Sequence, residues 1–317
     1  HMTDATRSPE EVHQIGLDEV ERITSEMDAI LRSEGYTEGS VGERMQRLNV
    51  EERFVYPNTA EGKATLIEDA RTQIEGISKV LPQWFATRVN YPVEVRAVPE
   101  YSQDSAPTGY YNPPAKDGSR PGVYWLNVRD TAVHPRFALP TLTYHESIPG
   151  HHLHFATAID QDVPPLVTAI WSNAAGEGWA LYSEQLAAEM GMYDGDPYGD
   201  LGRLQAELHR AVRLVVDTGM HAKKWSREQA IEYMVDVEGV EEGTAISEVE
   251  RYAVWPGQAL GYKLGMLKIL ELREEARQKL GDSFDIRAFN DTVLHVASTP
   301  LPYIEATVRD WIRQADM

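Results

Sequence analysis

The chain has 317 residues, 42% of them hydrophobic and 25% charged, enough to bury a substantial core. Fifty acidic against 30 basic residues give a formal charge of −20, a field that repels phosphate backbones and argues against nucleic acid as a partner. No apolar run is long enough to span a membrane, and the absence of cysteine excludes thiol nucleophiles and thiolate ligands, so a metal must be held by His and carboxylate.

His1-Met2 reads as a cloning remnant followed by a polar start with no signal-peptide core. This leaves localisation open, with the cytoplasm slightly favoured and export allowed because the natural N-terminus is in question. From Pro9 to about Glu34, Ile15, Val20, Ile23, Met27, Ile30 and Leu31 recur at helical spacing, and Gly35 ends the run. Ala60 to about Val80 repeats the pattern until Pro82 stops it. Between Val93 and Asp130 the composition turns to Pro, Gly, Tyr and β-branched residues, and VEVRAVP and GVYWLNV read as strands of a small sheet. Helical patterns then resume over Thr141–Ile159, Trp171–Met190, Leu201–Trp225, Arg227–Val237, Glu248–Leu280 and Pro302–Ile312. The fold class is therefore mainly α with a small β-sheet, an α+β chain. We expect one catalytic region over 1–317: helical at 1–90, a small sheet at 91–135, and a helical site-bearing part at 136–317.

Four of the ten histidines fall in Tyr144-His-Glu-Ser-Ile-Pro-Gly-His-His-Leu-His154. Adjacent His145 and Glu146 fit the zinc helix in which two histidines four residues apart share a face and the Glu activates water. Four beyond His145, however, stands Pro149, which cannot ligate and removes a helical hydrogen bond. A kink at Pro149-Gly150 would bring a later His onto that face. His152 on a straight helix would sit about 10 Å further along the axis, so His151 is the favoured second ligand, with His152 as alternate ligand or supporting partner. Glu177, flanked by Gly176 and Gly178 on the next helix, is the expected third ligand. Glu184, two turns later on the same face, could orient a ligand histidine. Arg210, Arg213 and Arg251 stand in apolar helical stretches, and we expect them to pair internally with carboxylates rather than to bind a substrate.

The runs His145–His152, Glu177–Glu184, Arg213–His221 and Arg251-Tyr252 with Pro256–Tyr262 resemble the bacterial domain-of-unknown-function family 885, whose pattern is HExxPGHH. The likeness spans almost the whole chain. That family is grouped with zinc peptidases of the gluzincin type and its members are usually longer. The resemblance therefore implies a gluzincin-like helical catalytic domain, a zinc cofactor and a peptide substrate. Dipeptidyl peptidase III is more distantly similar, with extra residues between its ligand histidines before a Gly-His pair, here Gly150-His151. Thimet oligopeptidase and angiotensin-converting enzyme carry a later Glu ligand, and Glu177 is similarly placed. The tyrosine-bearing helix of thimet oligopeptidase is similar to Gly257–Tyr262, which makes Tyr262 or Tyr252 a candidate donor to the oxyanion. His221, in another matching run, is a candidate substrate contact or supporting partner. The chain departs from the family at Asn290, where a His is usual.

The expected activity is hydrolysis of short peptides, with Glu146 as general base. A metal-dependent amidohydrolase acting on a non-peptide amide, and a non-catalytic helical binding domain, are the competing readings.

Overall fold

The structure is a computed structural model that describes residues 2–4, 6–161 and 171–315. It is mainly helical with a small mixed sheet, as the composition and periodicity predict. Helix α1 (Pro9–Ser33) opens on a capping box in which Ser8 and Glu11 satisfy each other's backbone N–H, with Pro9 where no donor is needed. Helix α2 (Val41–Asn49), which the sequence reading does not predict, repeats the device with Ser40 and Glu43. Helix α3 (Ala60–Val80) follows, and its Leu66, Ala70 and Ile74 are buried with residues of the sheet.

The sheet has the order β1 (Val93–Ala97), β3 (Gly122–Leu126), β2 (Gly109–Asn112). β3 runs parallel to β1, pairing Tyr124 with Val95, and antiparallel to β2, pairing Tyr124 with Tyr111. The central strand is the most apolar of the three, as two flanking partners and buried faces require.

The second half supplies α4 (Leu139–Glu146), α5 (His151–Asp160), α6 (Asn173–Glu189), α7 (Pro197–Ala222), α8 (Arg227–Glu238), α9 (Glu242–Val254), α10 (Gly261–Leu280), α11 (Ile286–Leu294) and α12 (Leu301–Ala315). Two predicted helices are each divided. The expected Thr141–Ile159 helix breaks into α4 and α5 around a cis Ile148–Pro149 bond, because proline offers no amide hydrogen to continue the ladder. The expected Glu248–Leu280 helix breaks at Pro256 into α9 and α10 for the same reason. Short α11 falls outside every predicted pattern.

Among the described residues, the three largest apolar cores lie around α4. One lies between α3 and the sheet, one among α1, α2, α7, α8 and α9, and one among α6, α10, α11 and α12. Helix α4 touches α3, α6, α7 and β2, so its His145 and Glu146 sit where the cores meet. The α6–α10 contact is backbone-close: a Cβ on Gly265 would lie 1.8 Å from the Ala174 carbonyl oxygen, so only glycine allows this approach. That contact fixes α6, the helix carrying Glu177 and Glu184.

Candidate metal centre

His145 and Glu146 occupy the last two positions of α4, and His151 opens α5. The intervening Ser147–Gly150 segment doubles back: the Gly150 N–H donates to Tyr144 O at 3.0 Å, and a Cβ on Gly150 would come within 2.0 Å of the His145 carbonyl oxygen. Glycine is thus required where the chain folds against its own helix end. From α6, Trp179 Nε1–H and the Ser183 hydroxyl both donate to the Pro149 carbonyl, at 3.0 and 3.2 Å, and pin the reversed segment. The turn absorbs the two extra residues and brings His151 beside His145, with ring centroids 4.9 Å apart and planes at 89°.

Glu177 meets both rings. Its Oε2 lies 3.3 Å from His151 Nε2 and 3.6 Å from His145 Nε2, and one ligand atom from each residue falls within 4.8 Å of the others. Ligands bound at about 2 Å around a tetrahedral centre sit roughly 3.3 Å apart, so these separations fit a zinc-sized ion. The other side of His145 is tied down. Its Nδ1–H donates to Glu184 Oε1 at 2.7 Å, while Thr141 donates to Glu184 Oε2 at 2.9 Å. This fixes the ring and leaves Nε2 as the nitrogen facing Glu177, the usual carboxylate–histidine arrangement behind a metal.

The charges point the same way. Burial alone would lower the His145 pKa, but hydrogen bonds to Glu177 and Glu184 outweigh it and push the imidazole up to about 9. Burial alone would raise Glu177, yet the adjacent His151 and His145 hold its carboxyl well below the usual carboxylate range. Two carboxylates thus draw positive charge into a buried site, a demand that a divalent cation on the same three ligands would satisfy. Glu146 stands apart from this ion-pairing set, and burial raises its pKa.

The remaining candidates separate. Tyr262, at the start of α10, stacks on His145 with centroids 6.5 Å apart and planes at 18°. The guanidinium of Arg213 lies 4.8 Å from the Tyr262 ring centroid. Gln258 donates to the Tyr262 oxygen at 3.5 Å, which leaves the phenolic proton uncommitted there. Tyr252 lies elsewhere: its hydroxyl donates to Glu248 at 2.7 Å and accepts from Arg213 at 3.1 Å. His152 has both nitrogens engaged, Nε2–H donating to Tyr91 O at 3.0 Å and Nδ1 accepting from Tyr111 at 2.8 Å. The structure thus brings His151, and not His152, together with His145 and Glu177 as candidate ligands. His221 donates from Nε2 to the Tyr252 carbonyl at 3.1 Å, outside that group.

Residues 1–308 match a family described as bacterial protein of unknown function (DUF885). The chain belongs to this family. A crystal structure of a putative lipoprotein from Colwellia psychrerythraea is 52% identical, with a TM-score of 0.96 over 98% of this chain and 53% of that one. A putative lipoprotein of unknown function from Shewanella oneidensis, 22% identical, has a TM-score of 0.82 over 95% of this chain and 56% of its own, and shares the fold. The chain spans about half the length of these two relatives. No curated protein matches it.

Sequence reasoning missed three supports of this candidate site: Thr141, Trp179 and Ser183. Trp179 and Ser183 are four residues apart on one helix face, and that spacing was the available signal. Thr141 offered none, because its partner is 43 residues away. Asn290, where the sequence departs from the family pattern, is buried and accepts from Tyr182 at 3.0 Å while donating to Trp84 O at 3.1 Å, which makes it part of the packing.

Proposed function

We propose that this chain is the catalytic region of a zinc-dependent metallopeptidase that hydrolyses short peptides. The observation that carries the reading is the convergence of His145 Nε2, His151 Nε2 and a Glu177 oxygen within 4.8 Å, with the back of His145 held by Glu184. Two imidazoles and one carboxylate, with no thiolate available, form a donor set for catalytic rather than structural zinc. When bound, zinc supplies Lewis acidity that polarises a carbonyl and makes water acidic near neutrality.

The protein's own groups would handle the protons. Glu146 follows His145 directly and its burial raises the carboxylate pKa, which suits it to take a proton from the attacking water and pass it to the departing amine. Water adds its oxygen to the peptide carbonyl carbon, the C–N bond breaks, and the products are a carboxylic acid and an amine. Tyr262, with its hydroxyl proton free of an internal acceptor among the described contacts, would donate to the oxygen that gains negative charge.

The relatives' description as putative lipoproteins extends the proposal to an exported whole protein. Export replaces the slight cytoplasmic lean of the sequence reading, which has no support. No helix among the described residues is long and apolar enough to cross a membrane. The deciding experiment is metal analysis of protein purified without chelator, together with hydrolysis assays on a peptide library and on small non-peptide amides. About one zinc per chain and cleavage confined to peptides is the expected outcome. Protein that stays metal-free and takes up no added zinc overturns the reading, and cleavage of the amides alone shifts it to an amidohydrolase.

A further inference from the structure

A cavity of about 250 Å³ is lined in part by Glu184 and Thr141, the pair that steadies His145, but by none of the three candidate ligand residues. Leu139 and Leu142 of α4 and Val133 and Val240 give it apolar walls. Arg210, His209 and Glu238 give it a charged end. The volume lies just under the range usual for small-molecule sites, so the occupant is the size of an amino acid rather than of a large cofactor.

The polar groups of this wall are incompletely satisfied. Glu238 is 2% exposed; its Oε2 accepts from His209 Nδ1 at 2.7 Å, but its Oε1 is buried without a hydrogen-bond partner. Arg210 is the one of three neighbouring arginines left without a close carboxylate. Arg213 and Arg251 both reach Glu248 at 2.9 Å, whereas Arg210 has a 3.7 Å approach to Glu184, a bond to the Ala206 carbonyl and a long contact of 5.9 Å over the Tyr262 ring. Its Nε is buried and has no partner. A buried acceptor and a buried cation with spare donors are costly when left alone, and a ligand carrying the complementary groups would relieve both.

We propose that this cavity binds an aliphatic amino-acid residue with a free carboxylate: the carboxylate on Arg210, an N–H on Glu238, and the side chain against Leu139, Leu142 and Val240. The guanidinium fork suits a carboxylate, and the carboxylate of Glu238 suits either an ammonium or an amide N–H. The occupant is therefore a free amino acid or the last residue of a peptide. The inference does not rest on the metallopeptidase reading, since none of the three ligand residues lines the cavity.

The test is calorimetric titration of chelator-treated protein with leucine, with leucinamide, which lacks the carboxylate, and with glycyl-leucine. Working without metal keeps a failure here distinct from a failure of the zinc proposal. Leucine is expected to bind roughly 10- to 100-fold more tightly than leucinamide, the range of one hydrogen-bonded charge contact. Arg210→Gln should remove that preference. Comparing the two ligands on the unmodified protein needs no variant, so misfolding of the variant leaves the test intact. Equal binding of leucine and leucinamide, no binding of either leucine or glycyl-leucine at millimolar concentration, or a preference that survives in folded Arg210→Gln overturns the proposal. Tighter binding of glycyl-leucine than of leucine assigns the cavity to peptide ends, and the opposite order assigns it to the free amino acid.

Discussion

Helix α7 stands beside two groups, each centred on a largely buried glutamate, with different chemistry. On one side, Glu248 accepts from Arg213 and Arg251, each at 2.9 Å, and from the Tyr252 hydroxyl at 2.7 Å, with His209 Nε2 at 3.5 Å. Burial would raise this carboxyl, but Arg213 and the other donors hold it far below the usual range. On the other side, Glu177 has no arginine partner among the described residues. Two histidine nitrogens approach it, and the farther side of one ring is already spent on Glu184. In the first group every charge has a permanent partner, so it locks α7 to α9. In the second, two imidazole nitrogens and a carboxylate converge, the pattern of a site completed by a cation.

The comparison breaks most directly through zinc. His145→Ala and Glu177→Ala are expected to lower bound metal from about one per chain to almost none, since each removes a ligand from a three-ligand set. Glu248→Gln, which alters another largely buried carboxylate, should keep the metal if the chain stays folded. Elemental analysis after dialysis, with circular dichroism to confirm folding, checks both. Full zinc in His145→Ala would mean the two groups do not differ as described.

Glu146→Gln comes next in size. The amide is nearly isosteric but cannot take a proton, so hydrolysis should fall by roughly 10² to 10⁴ while zinc stays bound. Loss of zinc with retained turnover would make Glu146 a ligand. The two tyrosines then sharpen the contrast. Tyr262→Phe, on the metal side, should lower kcat by about 10² to 10³ without changing zinc affinity, as removal of an oxyanion donor does. Tyr252→Phe, on the ion-paired side, should instead cost about 1.5–3 kcal/mol of stability, because its hydroxyl serves a charged carboxylate. The same loss of rate in both variants would remove the distinction. Glu184→Gln is smaller still: zinc affinity is expected to weaken about 10- to 100-fold in a metal titration, as when a ligand histidine loses its carboxylate.

The legible and illegible parts of this site divide along the same physical line. Histidines crowded into ten residues and a Glu between glycines are local signals, and they led to His145, His151 and Glu177 before any fold was known. Period also carried most of the helices. It failed at Pro149 and Pro256, where one strong apolar pattern runs through a backbone break. It also passed over α2 and α11, each nine residues long and too short for a convincing repeat. The distinction between Tyr252 and Tyr262 was invisible in sequence. It depends on which way α9 and α10 leave the turn at Pro256, and hence on which tyrosine faces Glu248 and which faces His145.

The smallest expected effect on metal belongs to His152, although its neighbour His151 is a ligand candidate. A histidine can serve zinc only through a free lone pair, and here Nδ1 takes the Tyr111 proton while Nε2–H is given to the Tyr91 carbonyl. The imidazole is buried, and burial lowers its pKa to about 4, so at neutral pH it is the uncharged form that ties β2 to the segment before β1. His152→Ala should therefore leave zinc affinity within a few-fold of the parent and cost about 1–3 kcal/mol of stability, the price of leaving Tyr111 and the Tyr91 carbonyl without a partner. Metal titration and urea unfolding measured on the same sample separate the two effects. A His152→Ala variant that unfolds like the parent but releases its zinc would mean the reversed Ser147–Gly150 segment presents His152, not His151, to the metal.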